Sequence, residues 1–283
     1  MPVCTIHVNT RFHFGLFLDH LNSDSPNQDT TAGEFRMPRG DQGMLGEAQA
    51  FAEYAELAAD PVYAGRGVPR GDGHSVLVLP GLFGNDFYLQ PLHLWLSRIG
   101  YRPVRSSLLA NVGCSERLTV QIEKELERRR RSHPGKVSII GHSRGGILAW
   151  AIAQRLGDDA RNLILLGSPV GALAAAMRAG AFDPERVRQY ANPRIVEAST
   201  RVRQAIDPDC TFPSCGCPFA QQIAQPLPTH VRITTIASET DPIVPAAAAR
   251  IEGAHNFVGG GTHSGLVVNK RVYPLIARAL AAE

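Results

Sequence analysis

Short runs of apolar residues alternate with stretches of helical periodicity along most of the chain. The apolar runs are rich in Val, Ile and Leu and cover residues 75–79, 137–140, 163–166 and 231–236. Helices are predicted near residues 86–99, 117–131, 145–156 and 265–281. Continuous apolar runs are typical of strands buried on both faces, and their alternation with helices is typical of parallel strands joined by crossovers. We therefore predict an α/β fold with a mostly parallel central sheet flanked by helices.

Two segments fall outside this alternation. Residues 1–43 show no sustained periodicity, so we expect a poorly ordered N-terminal extension before a domain at 44–283. About sixty residues separate the last two apolar runs, which is long for a crossover, and the segment 172–229 is predicted to be an inserted cap or lid. An additional pair of helices that packs on the sheet without contacting any site is the alternative.

Composition and charge exclude several classes of protein. The 283 residues are 44% hydrophobic and 19% charged, which is the range of globular proteins and suits a single domain. The net charge of +3 is too small a surplus to predict nucleic-acid binding. The run Arg128–Arg131 has the position of the solvated end of an amphipathic helix, with anion binding as the alternative.

The expected location of the protein follows from two missing patterns. No apolar stretch approaches the roughly 20 residues of a membrane-spanning helix. The N-terminus lacks the charged and apolar regions of a signal peptide, so a cytoplasmic location is expected.

Three of the five cysteines form a cluster of Cys210, Cys215 and Cys217. The cluster lacks the paired spacing of a structural zinc site, and neither a metal nor an organic cofactor is expected. A local disulfide and buried thiols both remain open at this stage.

The strongest chemical signal is Gly141-His142-Ser143-Arg144-Gly145. It follows a predicted strand directly and precedes a predicted helix directly, which is the context of a serine nucleophile. Glycines on both sides of Ser143 allow a sharp, strained turn, because they remove the Cβ atoms that would collide with the neighbouring elements. The helix that follows directs its N-terminal dipole towards any oxyanion formed at this serine.

A second loop, Leu79-Pro80-Gly81-Leu82-Phe83-Gly84, follows the first predicted strand. In a parallel sheet it lies at the carboxyl edge, where ligands bind. The backbone N–H groups of Leu82 and Arg144 are the predicted oxyanion-hole donors. An ordinary Pro-Gly turn is the alternative for this loop.

A serine nucleophile needs a general base and a group that orients the base. Of the ten histidines, only His263 lies in a glycine-lined loop after the last strand-like run, and it is the predicted base. The loop after the run 231–236 supplies Asp241 as the predicted orienting acid, with Glu239 as the alternative.

The order Ser143, Asp241, His263 resembles that of the α/β-hydrolases, and the chain is similar to their lipase and esterase branch. Five segments carry this resemblance, namely Pro80-Gly81-Leu82, Gly141 to Gly146, Leu166-Gly167-Ser168-Pro169 with Gly171, Asp241 to Pro245 and Thr262 to Gly265. The resemblance covers 75–283 and implies cleavage of a small ester or lipid-like substrate. Acyl transfer, amide hydrolysis, cofactor-free haloperoxidation and a non-catalytic binding role remain alternatives, because a fold does not fix the chemistry.

Overall fold

The centre of the fold is a six-stranded sheet in which every pair of neighbouring strands runs parallel. The computed structural model describes residues 42–180, 190–212 and 214–282. The strands are β1 Ser75–Leu79, β2 Arg102–Arg105, β3 Val137–His142, β4 Ala160–Leu166, β5 Arg232–Ser238 and β6 His255–Gly259. Their order in the sheet is β2-β1-β3-β4-β5-β6. This arrangement confirms the predicted α/β class and the parallel sheet.

Helices connect the strands and cover both faces of the sheet. The α-helices are α1 Gln42–Ala59, α2 Gln90–Arg98, α3 Ser115–Ser132, α4 Arg144–Leu156, α5 Val170–Arg178, α6 Pro193–Ile206, α7 Pro218–Ala224, α8 Ala246–Ala249 and α9 Val272–Ala281. Short 3-10 turns lie at Pro61–Ala64, Gly157–Asp159 and Ser264–Val267. The apolar core is divided between the faces, with α3, α4 and α7 on one side and α2 and α9 on the other.

The strand order places a crevice between β1 and β3. The chain passes from β1 to one neighbour, β2, and then crosses back to β3 on the other side of β1. The loops that leave β1 and β3 at their carboxyl ends therefore diverge at this point. In open parallel sheets ligands bind in the crevice at such a switch point.

Two strands were missed by the sequence analysis, and both lie at the edges of the sheet. The strand β2 is only four residues long and contains Pro103, while β6 is almost entirely exposed. An edge strand is covered less than a central one and needs no continuous apolar run. The four strands that were predicted are β1, β3, β4 and β5, which lie in the interior of the sheet.

Two predicted helices begin later than expected. The helix α2 begins at Gln90 because Pro91 is tolerated only in a first turn. The C-terminal helix expected from residue 265 is broken into the 3-10 turn Ser264–Val267 and α9, with Asn269 accepting a hydrogen bond from the amide of Arg271 between them. The extension predicted at 1–43 lies outside the described residues up to residue 41, and α1 already begins at Gln42.

The four described cysteines, Cys114, Cys210, Cys215 and Cys217, are free thiols in this structure.

None of the helices within the described ranges is both long enough and apolar enough to span a bilayer.

Because His93 is buried, we expect the stability of the fold to depend on pH. His93 on α2 is 4% exposed, and neither ring nitrogen has a hydrogen-bond partner among the described residues. Burial lowers the pKa of His93 from 6.5 to about 4, since the charged form loses its hydration. The unfolded chain therefore binds a proton that the folded chain excludes, and stability falls as the pH drops from about 6.5 to about 4.

We expect His93→Leu to reduce this loss of stability on acidification. The gain in melting temperature over the wild type should widen as the pH is lowered through that window, as measured by thermal unfolding. His133→Leu is the control, because His133 is exposed at the end of α3. An equal effect of both substitutions would contradict the assignment to burial.

Candidate active site

Ser143 occupies a strained turn between β3 and α4. Its backbone has φ 52° and ψ −124°, in a region that residues with a Cβ rarely adopt. The amide of Ser143 donates to the carbonyl of Leu166 on the neighbouring strand (2.8 Å), which holds the turn against β4. Such a turn lifts the serine hydroxyl clear of the sheet at the crevice beside β1.

The glycines around Ser143 allow neighbouring backbones to approach closely. A Cβ atom on Gly141 would lie 2.5 Å from the Cα of Gly146, and one on Gly145 would lie 2.5 Å from the carbonyl oxygen of Leu79. Both distances are far inside van der Waals contact. The turn therefore requires glycine at these positions, for the steric reason that the motif predicted.

Asp241 and His263 form a hydrogen-bonded pair. The Nδ1 of His263 donates to Oδ2 of Asp241 over 2.6 Å, and the Asp241 side chain is fully buried. The other carboxylate oxygen, Oδ1, accepts from the amides of Ile243 (2.8 Å) and Val244 (2.9 Å). These two amides fix the carboxylate, which in turn fixes the imidazole orientation with Nε2 left for other partners.

The three residues predicted from the sequence, Ser143, Asp241 and His263, all lie at the carboxyl edge of the sheet. Ser143 follows β3, and the loops with Asp241 and His263 follow β5 and β6. Within the described residues no hydrogen bond joins the Ser143 hydroxyl to His263. Such bonds are often long in unliganded sites and shorten when substrate binds. Glu239 is exposed, whereas Asp241 holds the imidazole.

His142 connects the serine turn to the His263 loop. Its Nε2 donates to the backbone carbonyl of His263 (3.0 Å), and its ring lies 4.8 Å from the His263 ring between centroids. Burial lowers the pKa of His142 to about 3, so the ring is neutral at physiological pH. With the proton on Nε2, its Nδ1 is left as an acceptor.

Tyr88 completes a hydrogen-bond chain across the site. Its hydroxyl donates to Nδ1 of His142 (2.9 Å) and accepts from the backbone N–H of Gly81 (2.5 Å). Gly81 belongs to the loop after β1, and a Cβ there would lie 3.2 Å from Cβ of Ser143. The chain Gly81, Tyr88, His142, His263 therefore fixes the loop, the serine turn and the histidine loop relative to one another.

We expect Tyr88→Phe to lower kcat about tenfold with a smaller change in KM. The substitution leaves the Gly81 amide and the His142 Nδ1 unpaired at a buried position, which costs about 1–3 kcal/mol. Steady-state kinetics and thermal unfolding measure both effects. Tyr101→Phe is the control, because Tyr101 packs against His74 at the opposite edge of the sheet. Equal kinetics in the two variants would show that the chain has no positioning role.

The amides of Leu82 and Arg144 are available to a ligand. Among the described residues neither amide donates a hydrogen bond to a protein group, and Arg144 is the first residue of α4, where an amide has no partner within the helix. The side chain of Asn111 connects the loop after β1 to the start of α4. Its Nδ2 donates to the Pro80 carbonyl (2.7 Å), and its Oδ1 accepts from the Arg144 guanidinium.

The helix α1 contacts the loop that carries His263 through the side chain of Glu53. The Glu53 carboxylate accepts from the amide of Thr262 (3.0 Å), the residue before His263. It also lies so close to Gly265 that a Cβ there would collide with it. Burial raises the pKa of Glu53, while the bond from Thr262 opposes this rise. Neither Glu53 nor Asn111 nor Tyr88 belongs to a recognisable motif, and sequence reasoning missed all three.

A second hydrogen-bonded Asp, His and Ser set lies at the opposite edge of the sheet. His74 joins Oδ1 of Asp72 (2.5 Å) to Oγ of Ser138 (2.9 Å). Ser138 is fully buried within β3 and also accepts from Asn162. A substrate cannot reach this hydroxyl, and no strained turn presents it. Hydrogen-bond geometry alone therefore does not identify an active site. Ser143 differs from Ser138 in that it occupies a strained turn and lines a cavity.

A cavity of about 220 Å³ lies beside Ser143. Its walls are mainly apolar and include Leu82, Ile147, Leu173, Phe212, Phe219 and Val244. The helix α6 contributes Ile195, Val196, Ser199, Thr200 and Arg203. Within the described part of the chain no group of three His, Cys, Asp or Glu side chains is arranged to hold a metal ion.

Comparisons with known proteins report similarities of structure only. No protein-family model and no curated protein matches the sequence. A lipase-esterase related protein from Clostridium acetobutylicum ATCC 824 is 12% identical with a TM-score of 0.46, covering 75% of this chain and 97% of that chain. The mature lipase BlEst2 from Bacillus licheniformis is 13% identical with a TM-score of 0.48, covering 76% and 95%.

A monoacylglycerol lipase from Paleococcus ferrophilus is 13% identical with a TM-score of 0.45, covering 75% of this chain and 95% of that chain. At these identities and TM-scores the likeness carries no conclusion about activity or substrate. The fold assignment rests on the chain itself, namely the parallel sheet, the strained turn at Ser143 and the sequence order Ser143, Asp241, His263. With these features the chain has the architecture of the α/β-hydrolase fold.

Proposed function

We propose that this protein is a serine hydrolase that cleaves carboxylic esters, with Ser143 as nucleophile, His263 as general base and Asp241 as the orienting acid. One observation carries the proposal. A serine on a strained turn lies at the switch point of a parallel sheet, at the same edge as a histidine bound to a buried carboxylate. A binding protein has no physical need for such strain, which costs of the order of 1–3 kcal/mol.

The proposed reaction proceeds through an acyl-enzyme. Ser143 Oγ attacks the ester carbonyl while His263 Nε2 takes the hydroxyl proton, and Asp241 stabilises the imidazolium. The amides of Leu82 and Arg144 donate to the oxyanion that develops on the carbonyl oxygen. His263 then returns the proton to the leaving alcohol. Water, activated by the same imidazole, releases the acid and restores Ser143.

Labelling with a fluorophosphonate tests the proposal directly. The reagent phosphonylates a serine only when its base is in place, so we expect modification of Ser143 in the wild type and none in Ser143→Ala, as read by intact mass. Failure to label the folded wild type would indicate a non-catalytic protein. Labelling without turnover of any ester would instead favour one of the other reactions of the same residues.

The segment 172–229 supplies the proposed cover of this site, and α6 is its central part. Two contacts attach this helix across the cavity. At its start the amide of Asn192 donates to the Ile243 carbonyl (2.8 Å), beside the Asp241 loop. At its end the Asp207 carboxylate accepts from the amide of Cys114 (2.5 Å). Residues 181–189 and 213 lie outside the described residues.

The helix α7 belongs to the same segment but has a different role. Phe219 and Ile223 on α7 are fully buried in the core beneath α4, and Trp150 donates to the carbonyl of Gln225 just after the helix. Deletion of the whole segment would therefore remove part of the core. A single substitution on α6 tests the cover without this complication.

We expect Val196→Trp to shift the preference towards short acyl chains. The larger side chain occupies part of the cavity, so kcat/KM for long-chain esters should fall about tenfold or more relative to an acetate ester. A panel of esters of increasing acyl length measures the shift. Glu197→Gln is the matched control, because Glu197 is the next residue and its side chain is 62% exposed. An unchanged profile in a folded Val196→Trp variant would show that α6 does not shape the acyl site.

A further inference from the structure

Two arginines line the cavity beside Ser143, although its walls are otherwise mainly apolar. They are Arg144 at the start of α4 and Arg203 near the end of α6, and the described lining residues include no Asp or Glu. Neither guanidinium forms a salt bridge with a carboxylate of the described residues. A cation at a partly desolvated site without an anionic partner is unfavourable, so this arrangement suits a ligand that brings a negative charge.

Within the described ranges, the hydrogen bonds of both arginines are to neutral groups. Arg144 donates to the carbonyl of Gly113 (2.8 Å), to Oγ of Ser115 (3.0 Å) and to the Asn111 amide oxygen. Arg203 donates to the backbone carbonyl of Cys210. These bonds orient the guanidinium groups, and among the described residues no carboxylate contacts either of them directly.

Two nearby groups that could carry negative charge, Asp207 and Cys114, form no salt bridge with either arginine among the described residues. The Asp207 carboxylate is held by Arg117 and by the amide of Cys114, and it is not a lining residue of the cavity. Burial raises the pKa of the Cys114 thiol to about 11, so the thiol is uncharged at neutral pH. Burial lowers the pKa of Arg144 only to about 10, which leaves its guanidinium charged.

We propose that the natural substrate is an ester whose acyl chain ends in a carboxylate, with the carboxylate bound by Arg203 and Arg144 and the chain lying along the apolar walls. The inference rests on the proposed function, since it takes Ser143 as the point of attack. The proposed nucleophile, the apolar walls and the two cationic groups all line the same cavity. An acyl chain with an anionic end matches all three features, whereas a plain fatty acyl chain leaves the charges unpaired.

Matched methyl esters test the substrate class. Monomethyl succinate, glutarate and adipate are compared with methyl butanoate, pentanoate and hexanoate, and methanol release gives kcat/KM for each. We expect the carboxylate-bearing member of a pair to be preferred about 10- to 100-fold, the range for one charge-assisted hydrogen bond. Added salt should reduce the preference, because it screens the interaction. Equal kcat/KM in every pair would overturn the inference while leaving ester hydrolysis intact.

Variants of Arg203 connect the preference to this side chain. We expect Arg203→Gln to remove most of the preference and Arg203→Lys to restore part of it, since lysine keeps the charge but not the planar donor geometry. Arg201→Gln is the matched control, because Arg201 lies on the same helix, is 76% exposed and pairs with Glu197. A preference that survives in folded Arg203→Gln would refute the role of this arginine.

A binding measurement separates the inference from the proposed reaction. Calorimetric titration of Ser143→Ala with monomethyl adipate and with methyl hexanoate measures recognition without turnover. We expect tighter binding of the adipate ester and loss of the difference in Ser143→Ala/Arg203→Gln. Carboxylate binding without hydrolysis by the wild type would refute the proposed function alone. Hydrolysis without preferential binding would refute the inference alone.

Discussion

Ser143→Ala and His263→Ala should each lower kcat/KM for ester hydrolysis by several orders of magnitude while the protein stays folded. The alanine at residue 143 removes the proposed nucleophile, and the alanine at residue 263 removes the proposed acceptor for its proton. Because nucleophile and base act as a unit, the double variant should be little worse than either single variant. Kinetics with a short-chain ester, together with circular dichroism and thermal unfolding, measure both parts of the expectation.

The matched controls for this experiment come from the opposite edge of the sheet. Ser138 and His74 have the same residue types and are hydrogen-bonded over 2.9 Å, but Ser138 is fully buried. We expect Ser138→Ala and His74→Ala to change stability and to leave kcat within about twofold. Near-normal activity of folded Ser143→Ala, or loss of activity in folded Ser138→Ala, would overturn the assignment of the nucleophile.

Asp241→Asn should lower kcat by a factor approaching 10⁴, the effect of the equivalent change in a serine protease. The carboxylate accepts the Nδ1 proton with one oxygen and two backbone amides with the other. An asparagine keeps its oxygen on those amides and turns its NH₂ group towards His263. The imidazole then holds its proton on Nε2, where it cannot accept one from Ser143.

Glu239→Gln is the control for this prediction, because it makes the same chemical change two residues away on an exposed side chain. We expect its kcat to remain close to that of the wild type. The pH dependence of kcat/KM for the residual activity of Asp241→Asn should also differ from the wild-type profile, since the carboxylate no longer stabilises the imidazolium. If Glu239→Gln were the more damaging change, the acid would have to be reassigned.

The expected falls in kcat differ in size because the residues have different proposed roles in the reaction. Ser143, His263 and Asp241 are proposed to change charge or bonding, or to stabilise a charge that develops, during the reaction. Tyr88 only holds the loop and the serine turn in position through Gly81 and His142. Loss of a positioning group lowers kcat by only a modest factor, because the remaining contacts partly preserve the geometry of the site.

Much of this protein was determined by the sequence alone. The strands β1, β3, β4 and β5 lie inside the sheet and must be covered on both faces, so their apolar runs are visible in the chain. The turn at Ser143 was equally predictable, because its glycines meet a steric requirement that lies within one segment. The edge strands β2 and β6 carried no such signal, since they are only partly covered.

Other features depend on contacts that only the tertiary structure creates. The bond from Tyr88 to His142 spans 54 residues, and the contact of Glu53 with Thr262 spans 209. A hydrogen bond of this kind imposes no periodicity on either segment, so neither partner stands out in the chain. The same holds for Arg203, whose position in the sequence is that of an ordinary residue of an amphipathic helix. Only the tertiary structure brings it to the cavity that Arg144 also lines.

The second Asp, His and Ser set is visible only in the tertiary structure. Asp72, His74 and Ser138 are held at distances typical of a catalytic set, yet Ser138 lies within a central strand where both faces are covered. Ser143 lies only five residues further along the chain, beyond the carboxyl end of that strand, and it lines a cavity. Sequence determines which side chains are available for chemistry, whereas burial at one edge of the sheet and access at the other decide which serine a substrate can reach.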